Sequence, residues 1–161
     1  TPMQWTGGWN AGFSAADAAA LYFPIIVDPP YGFQGVNVMA QERTQTSLLR
    51  WMRRIIKVRQ QHQAFGRGGM EMLLPENRGV LAFLRTHGDE VILCVNNLSR
   101  FVQPVEINLQ RFCDWTPVEM IGNIEFPVIT ERPYFLSLGP HTFYWFRLER
   151  PADARGAGGG E

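Results

Sequence analysis

Lysine is almost missing from this chain of 161 residues: Lys57 is the single one among fifteen basic side chains. The bias reads as a property of the coding sequence, with no mechanistic weight. Net charge is missing too. Fifteen acidic residues balance the fifteen basic ones, so no global field draws the chain toward nucleic acid or a membrane surface. Cysteine is scarce, and Cys94 and Cys113 fit no metal-ligand spacing. They read as two reduced, buried thiols, with a strand-to-strand disulfide as the alternative. The three histidines, His62, His87 and His141, are too widely spaced for a metal motif. A Ser/His/Asp triad has no nucleophile-elbow motif behind it. No apolar run approaches the ~20 residues of a membrane helix, and no signal peptide opens the chain. The expectation is a cytoplasmic protein with no cofactor, no metal, and neither nucleic acid nor membrane as partner.

What is present suffices for a folded core. Hydrophobic residues make up 45% and aromatic residues 12% of the chain, enough for one good core or a small domain with an appendage. Residues 1–42 read as irregular, because Pro2, Pro24, Pro29 and Pro30 break every periodic run and glycines add turns. A stretch of that length with little regular structure is unusual inside a compact domain. Its apolar content suggests packing against something outside it. A strong helix is expected from Ser47 to His62, with Thr44, Thr46 and Ser47 as N-cap candidates and Gly66 and Gly68 ending it. Leu48, Met52 and Ile55 mark its apolar stripe. Seven basic and no acidic residues lie between Arg43 and Arg67; they read as a solvated, salt-bridged face, because apolar residues interleave them around the helix.

From Gly69 the period changes to two. Strands are expected over Met70–Leu74, Val80–Arg85, Val91–Asn96, Val102–Leu109, Thr116–Ile121, Tyr134–Leu138 and His141–Leu148. His87-Gly88-Asp89 is a hairpin signal. Short strands at this spacing mean an antiparallel β-sandwich. The fold class is therefore mainly β, a C-terminal antiparallel sandwich of Greek-key type behind a loop region and one long helix. The domains read as 1–67, 68–150 and a disordered tail over 151–161. In the aromatic run Phe143–Phe146, alternation puts two rings into the core and two on the opposite face.

Three blocks carry a family resemblance. Thr1-Pro2-Met3-Gln4-Trp5, followed by Asn10-Ala11-Gly12-Phe13, resembles the loop after the eighth barrel strand in the alpha-amylase family of glycoside hydrolases. Asp28-Pro29-Pro30-Tyr31-Gly32-Phe33-Gln34-Gly35-Val36-Asn37-Val38, with Gln41, resembles the lead-in to the final barrel helix. Ser47–Ile56, Val58-Arg59 and Ala64–Gly68 look like that helix and its exit into the C-terminal β domain. The last two blocks favour the trehalose synthase branch over oligo-1,6-glucosidase. The resemblance implies that residues 1–67 are the incomplete end of a (β/α)₈ barrel. It implies a retaining mechanism with a carboxylate pair ~5–5.5 Å apart, and a glucose that stays in the closed pocket and re-attacks through another hydroxyl. The family's nucleophile Asp, acid/base Glu and second Asp precede the first block, so no residue here inherits those roles.

Barrel active sites are built from loops at the strand ends, so Gln4, Trp5, Asn10 and Phe13 are the candidate substrate-binding residues. An amide can hydrogen-bond a hydroxyl, and a ring offers a flat platform; the competing reading is that Pro2, Met3 and Trp5 pack the loop against the barrel. Glu71 with Glu76, and Asp89 with Glu90, read as solvated turn or strand residues rather than catalytic pairs. The implied partners are the catalytic barrel of a parent enzyme, maltose and trehalose through that parent, and a second copy of the chain. Two alternatives stay open: a free-standing carbohydrate-binding or scaffolding module, and an alpha-glucosidase-like parent.

Overall fold

The computed structural model describes residues 1–151. The expected tail from residue 152 onward lies outside the described residues. Two compact units emerge, Thr1–Lys57 and Val58–Glu161, and the division falls within a long helix.

The first unit is loop-rich. Trp9–Gly12 and Ala18–Ala20 form short 3₁₀ turns, and Val38–Arg43 forms a helix, α1. The expectation that residues 1–42 are irregular is corrected here, because α1 begins inside that stretch. Asn37 caps this helix by accepting from the Ala40 amide at 2.8 Å. The long helix, α2, spans Leu48–Gln61. Ser47 is its N-cap, with Oγ accepting from the Arg50 amide at 3.3 Å. Gln41 reaches the same end and accepts from the Leu49 amide through Oε1 at 3.0 Å. Two of the orphan donors at the helix start are thereby satisfied. Arg53 pairs with Glu42 at 3.0 Å, both exposed, as a solvated basic face requires.

α2 stops earlier than its glycines suggest. His62 is extended, and Gln63–Arg67 forms a separate short helix, α3, with Gly68 as its C-cap. Gly66 thus lies inside α3 and ends nothing.

The second unit is the sandwich. Its strands are β1 (Gly69–Leu73), β2 (Val80–His87), β3 (Glu90–Asn97), β4 (Gln103–Ile107), β5 (Thr116–Glu119), β6 (Ile124–Glu125), β7 (Tyr134–Leu138) and β8 (Phe143–Glu149). Six form one antiparallel sheet in the order β1-β2-β3-β8-β5-β6, and β4 pairs with β7 in a second. The two-residue β6 has too little periodicity to be read from sequence. The β2–β3 hairpin closes with His87 opposite Glu90. Gly88 takes φ +55 at the first loop position, where a type II′ turn requires a residue without a Cβ.

Alternation builds the core between the sheets. Ala82, Leu84, Leu93, Val95, Phe146 and Leu148 from the larger sheet meet Val105, Ile107, Leu136 and Leu138 from the smaller. Central strand β3 is covered on its other face as well, where Ile92 and Cys94 are buried with Ala64 of α3. Burial on both faces explains the unbroken apolar run Val91–Val95, which shows no alternation of its own. The aromatic run divides as expected: Tyr144 and Phe146 face the core, whereas Trp145 packs on Phe65 of α3, ring centroids 4.7 Å apart.

Polar side chains lock the layers. The Arg85 guanidinium donates to the carbonyls of Ala64, Phe65 and Gly68 at 2.9–3.0 Å. Glu90 accepts from the Ala64 amide at 3.0 Å and pairs with His62 Nδ1 at 2.5 Å. Both ends of α3 are therefore held by one hairpin. Buried Asn97 donates to the carbonyls of Phe101, Leu138 and Gly139. Both cysteines are free thiols. Cys94 is buried, but Cys113 is only half-buried, at the end of a short turn, against the expectation of two buried thiols.

Candidate functional site

The candidate site is the loop that opens the first unit, and its residues are pinned from below by α1. Three amides at the start of α1 have no partner within the helix. Gln4 supplies its carbonyl to Val38 at 2.9 Å and Trp5 supplies its own to Met39 at 3.0 Å. Asn37 Oδ1 takes the third. The backbone of Gln4 and Trp5 is thus held against a helix start. On its other side the amides of Trp5 and Thr6 both donate to the Ala11 carbonyl, at 2.8 and 2.9 Å. The side-chain amide of Gln4 reaches forward and donates through Nε2 to the Tyr31 carbonyl at 2.9 Å.

Asn10, Ala11 and Gly12 all adopt positive φ, +46, +57 and +70. Asn tolerates this region through local side-chain bonding. Asn10 Nδ2 donates to the carbonyls of Ala16 and Ser14 at 2.7 and 3.2 Å, and its side chain is buried. Gly12 has no alternative, since a Cβ there would sit 2.7 Å from Thr6 Oγ1. Ala11 lacks both excuses and is fully buried. A non-glycine residue held at positive φ costs of order 1–2 kcal/mol, and such positions cluster at functional loops.

The four candidates therefore divide. Trp5 and Phe13 present rings that are 48% and 51% exposed. Phe13 lines a hollow of about 210 Å³ with Thr1, Pro2, Leu21, Tyr22 and Phe23. The amides of Gln4 and Asn10 are engaged by loop carbonyls. Sequence reasoning missed what holds the backbone of Gln4 and Trp5, namely the start of α1 behind its Asn37 cap. The signal was there: an N-cap residue directly before Val-Met-Ala-Gln-Glu-Arg.

Of the carboxylates in the rejected pairs Glu71 with Glu76 and Asp89 with Glu90, three have structural engagements. Glu71 pairs with Arg111 at 2.7 Å, Asp89 with Arg150 at 3.0 Å, and Glu90 with His62. Among the described residues, no group of three or more His, Cys, Asp or Glu side chains could hold a metal ion. No helix among them is long and apolar enough to cross a membrane.

A loop-and-helix unit leading into an antiparallel sandwich with a two-faced central strand is the pattern of a C-terminal β domain with its lead-in from a catalytic domain. Comparison with known proteins agrees. Residues 1–68 match the alpha amylase catalytic domain, and residues 70–145 match the maltogenic amylase C-terminal domain. The chain belongs to the alpha-amylase family. Among curated relatives it is 52% identical to the trehalose synthase of Pimelobacter sp. over 94% of its length, covering 27% of that protein. It is 51% identical to the trehalose synthase/amylase of Mycobacterium tuberculosis over 91% of its length, covering 25% of that protein. The chain thus spans about a quarter of the length of these relatives. Among solved structures, the isomaltulose synthase of Erwinia rhapontici superposes with a TM-score of 0.68 at 26% identity, over 93% of this chain and 25% of that one.

Proposed function

We propose that this chain is the C-terminal part of a trehalose synthase-like enzyme that interconverts maltose and trehalose by retaining, intramolecular glucosyl transfer. The observation that carries the reading is the 52% identity to a trehalose synthase across almost the whole chain, loop unit and sandwich alike. In this reading residues 1–67 complete a catalytic barrel, residues 68–150 form the domain that supports it, and the nucleophile and acid/base carboxylates belong to the remainder of the enzyme. Gln4, Trp5, Asn10 and Phe13 border the sugar pocket. The exposed rings of Trp5 and Phe13 suit the apolar face of a pyranose. Gln4 and Asn10 act by setting the loop that presents those rings, because their amides are held by backbone carbonyls.

The enzyme's chemistry would need water excluded from its glucosyl intermediate, since attack by water gives hydrolysis and attack by retained glucose gives isomerisation. A rigid, strained loop beside the pocket serves that requirement. The test is a maltose assay with separate detection of trehalose and glucose. The product of the complete coding sequence is expected to form trehalose, and the 161-residue chain alone to form neither sugar. Turnover by the chain alone would overturn the reading. Glucose without trehalose from the complete product would replace it with an alpha-glucosidase-like hydrolase.

A further inference from the structure

A groove of about 720 Å³ runs along one side of the sandwich, between the β4–β7 sheet and the segment that follows β1. Its size falls within the ~300–1,000 Å³ of small-ligand sites. Strand alternation decides what faces it. Val105, Ile107, Tyr134 and Leu136 point into the core, so Glu106 and Phe135 point outward. The pairing of β4 with β7 sets these two directly opposite each other, the arrangement that brings cross-strand side chains into contact. Phe135 remains 61% exposed. Glu76 lies on the facing segment. Neither Glu76 nor Glu106 has an ion pair or side-chain hydrogen bond among the described residues. Asn108, also in the lining, accepts from the Gln110 amide through Oδ1, which leaves its Nδ2 as a donor.

We propose that this groove is a binding site for a neutral gluco-oligosaccharide. An exposed ring offers a platform for the apolar face of a pyranose. Unpaired carboxylates accept from sugar hydroxyls through charge-assisted hydrogen bonds, and an amide supplies the complementary donor. An added peptide strand fits worse. Pro104 sits within β4, with Pro75 and Pro133 also in the lining, and proline offers no ladder donor. The Pro104 carbonyl is already engaged by Asn77 Nδ2 at 2.8 Å. A metal ion lacks the three or more ligating side chains it would need among the described residues. The choice of glucose as the sugar rests on the proposed maltose-converting function.

Titration of the chain with maltoheptaose, followed by backbone amide shifts, tests the site. Saturable shifts at Glu106 and Phe135 are expected, with a dissociation constant in the millimolar range and a loss of at least about tenfold in Phe135→Ala. Glu106→Gln is the second variant and weakens binding by about threefold or more. Both side chains are exposed, so unchanged amide shifts elsewhere certify the fold. The proposal is overturned if maltoheptaose shifts nothing up to about 20 mM, or if it binds Phe135→Ala at full strength. It is also overturned if calcium or an arginine-rich peptide shifts these amides and the sugar does not. Trehalose formation by the complete coding product is read separately. Its absence beside Phe135-dependent sugar binding removes the enzymatic reading alone, and its presence without such binding removes the groove alone.

Discussion

Cys94 and Tyr134 sit in the sandwich, and for both the neutral form is the folded form. Burial pushes the Cys94 thiol up from 9.0 to about 12, against the pull of the Arg85 guanidinium. Burial raises the Tyr134 phenol from 10.0 to about 12, while its hydroxyl donates to the Pro127 carbonyl at 2.8 Å. Both groups hold their proton more tightly folded than unfolded. Their contribution to stability is therefore complete below about pH 9 and is lost as pH rises toward about 12. The melting temperature is expected to fall across that window. In Cys94→Ala the decline should be shallower, because one of the two linked protons is gone, even though the variant starts from a lower value for loss of packing. Equal slopes in wild type and variant would show that the thiol is not coupled to folding.

The element that depends most on single side chains is α3. It has only five residues, too few to persist alone. What keeps it in place is the β2–β3 hairpin, through Arg85 at its C-terminal carbonyls and Glu90 at its N-terminal amide. Trp145 and Phe83 supply the apolar floor. Removing the guanidinium would leave three carbonyls without their shared donor. Arg85→Met is expected to cost about 1–3 kcal/mol, read as a lower urea midpoint with an unchanged slope. A midpoint within error of wild type would mean that water replaces the guanidinium without loss. This element also marks where sequence reading stops. α2 and seven of the eight strands were legible, most through an i, i+4 stripe or a period of two, and β3 through an unbroken apolar run bounded by turn residues. The end of α2 near His62 matches the expected bound, but the separate helix over Gln63–Arg67 was not legible, since it depends on Arg85 and Glu90, distant in sequence. α1 was obscured by proline and glycine before it, although Asn37 is a standard cap. At the candidate site, the residue types were readable, but the engagement of the Gln4 and Asn10 amides by Tyr31, Ser14 and Ala16 depends on a backbone path that no local pattern encodes.

For the whole molecule, the feature that matters is apolar surface left uncovered. No residue of α2 is buried, yet Leu48 is 65% exposed and Met52 42%, with Trp51 and Ile56 beside them. Tyr22, Phe23 and Val27 add exposed rings and aliphatic surface to the same unit. A monomer rarely leaves patches of this kind open to water, and burying each such side chain is worth ~1.5–3 kcal/mol. In the proposed enzyme the rest of the barrel supplies the cover. The 161-residue chain by itself must find another, and a second copy is the one always at hand. Sedimentation velocity is expected to show association that grows over about 10–200 µM, in the range where weak apolar interfaces form. Met52→Glu combined with Leu48→Gln should hold the chain monomeric, because it places charge and amide on the stripe while leaving the helix cap at Ser47 intact. Association that persists in the double variant would locate the contact elsewhere, and a wild-type chain that stays monomeric throughout would mean that the stripe needs no cover at all.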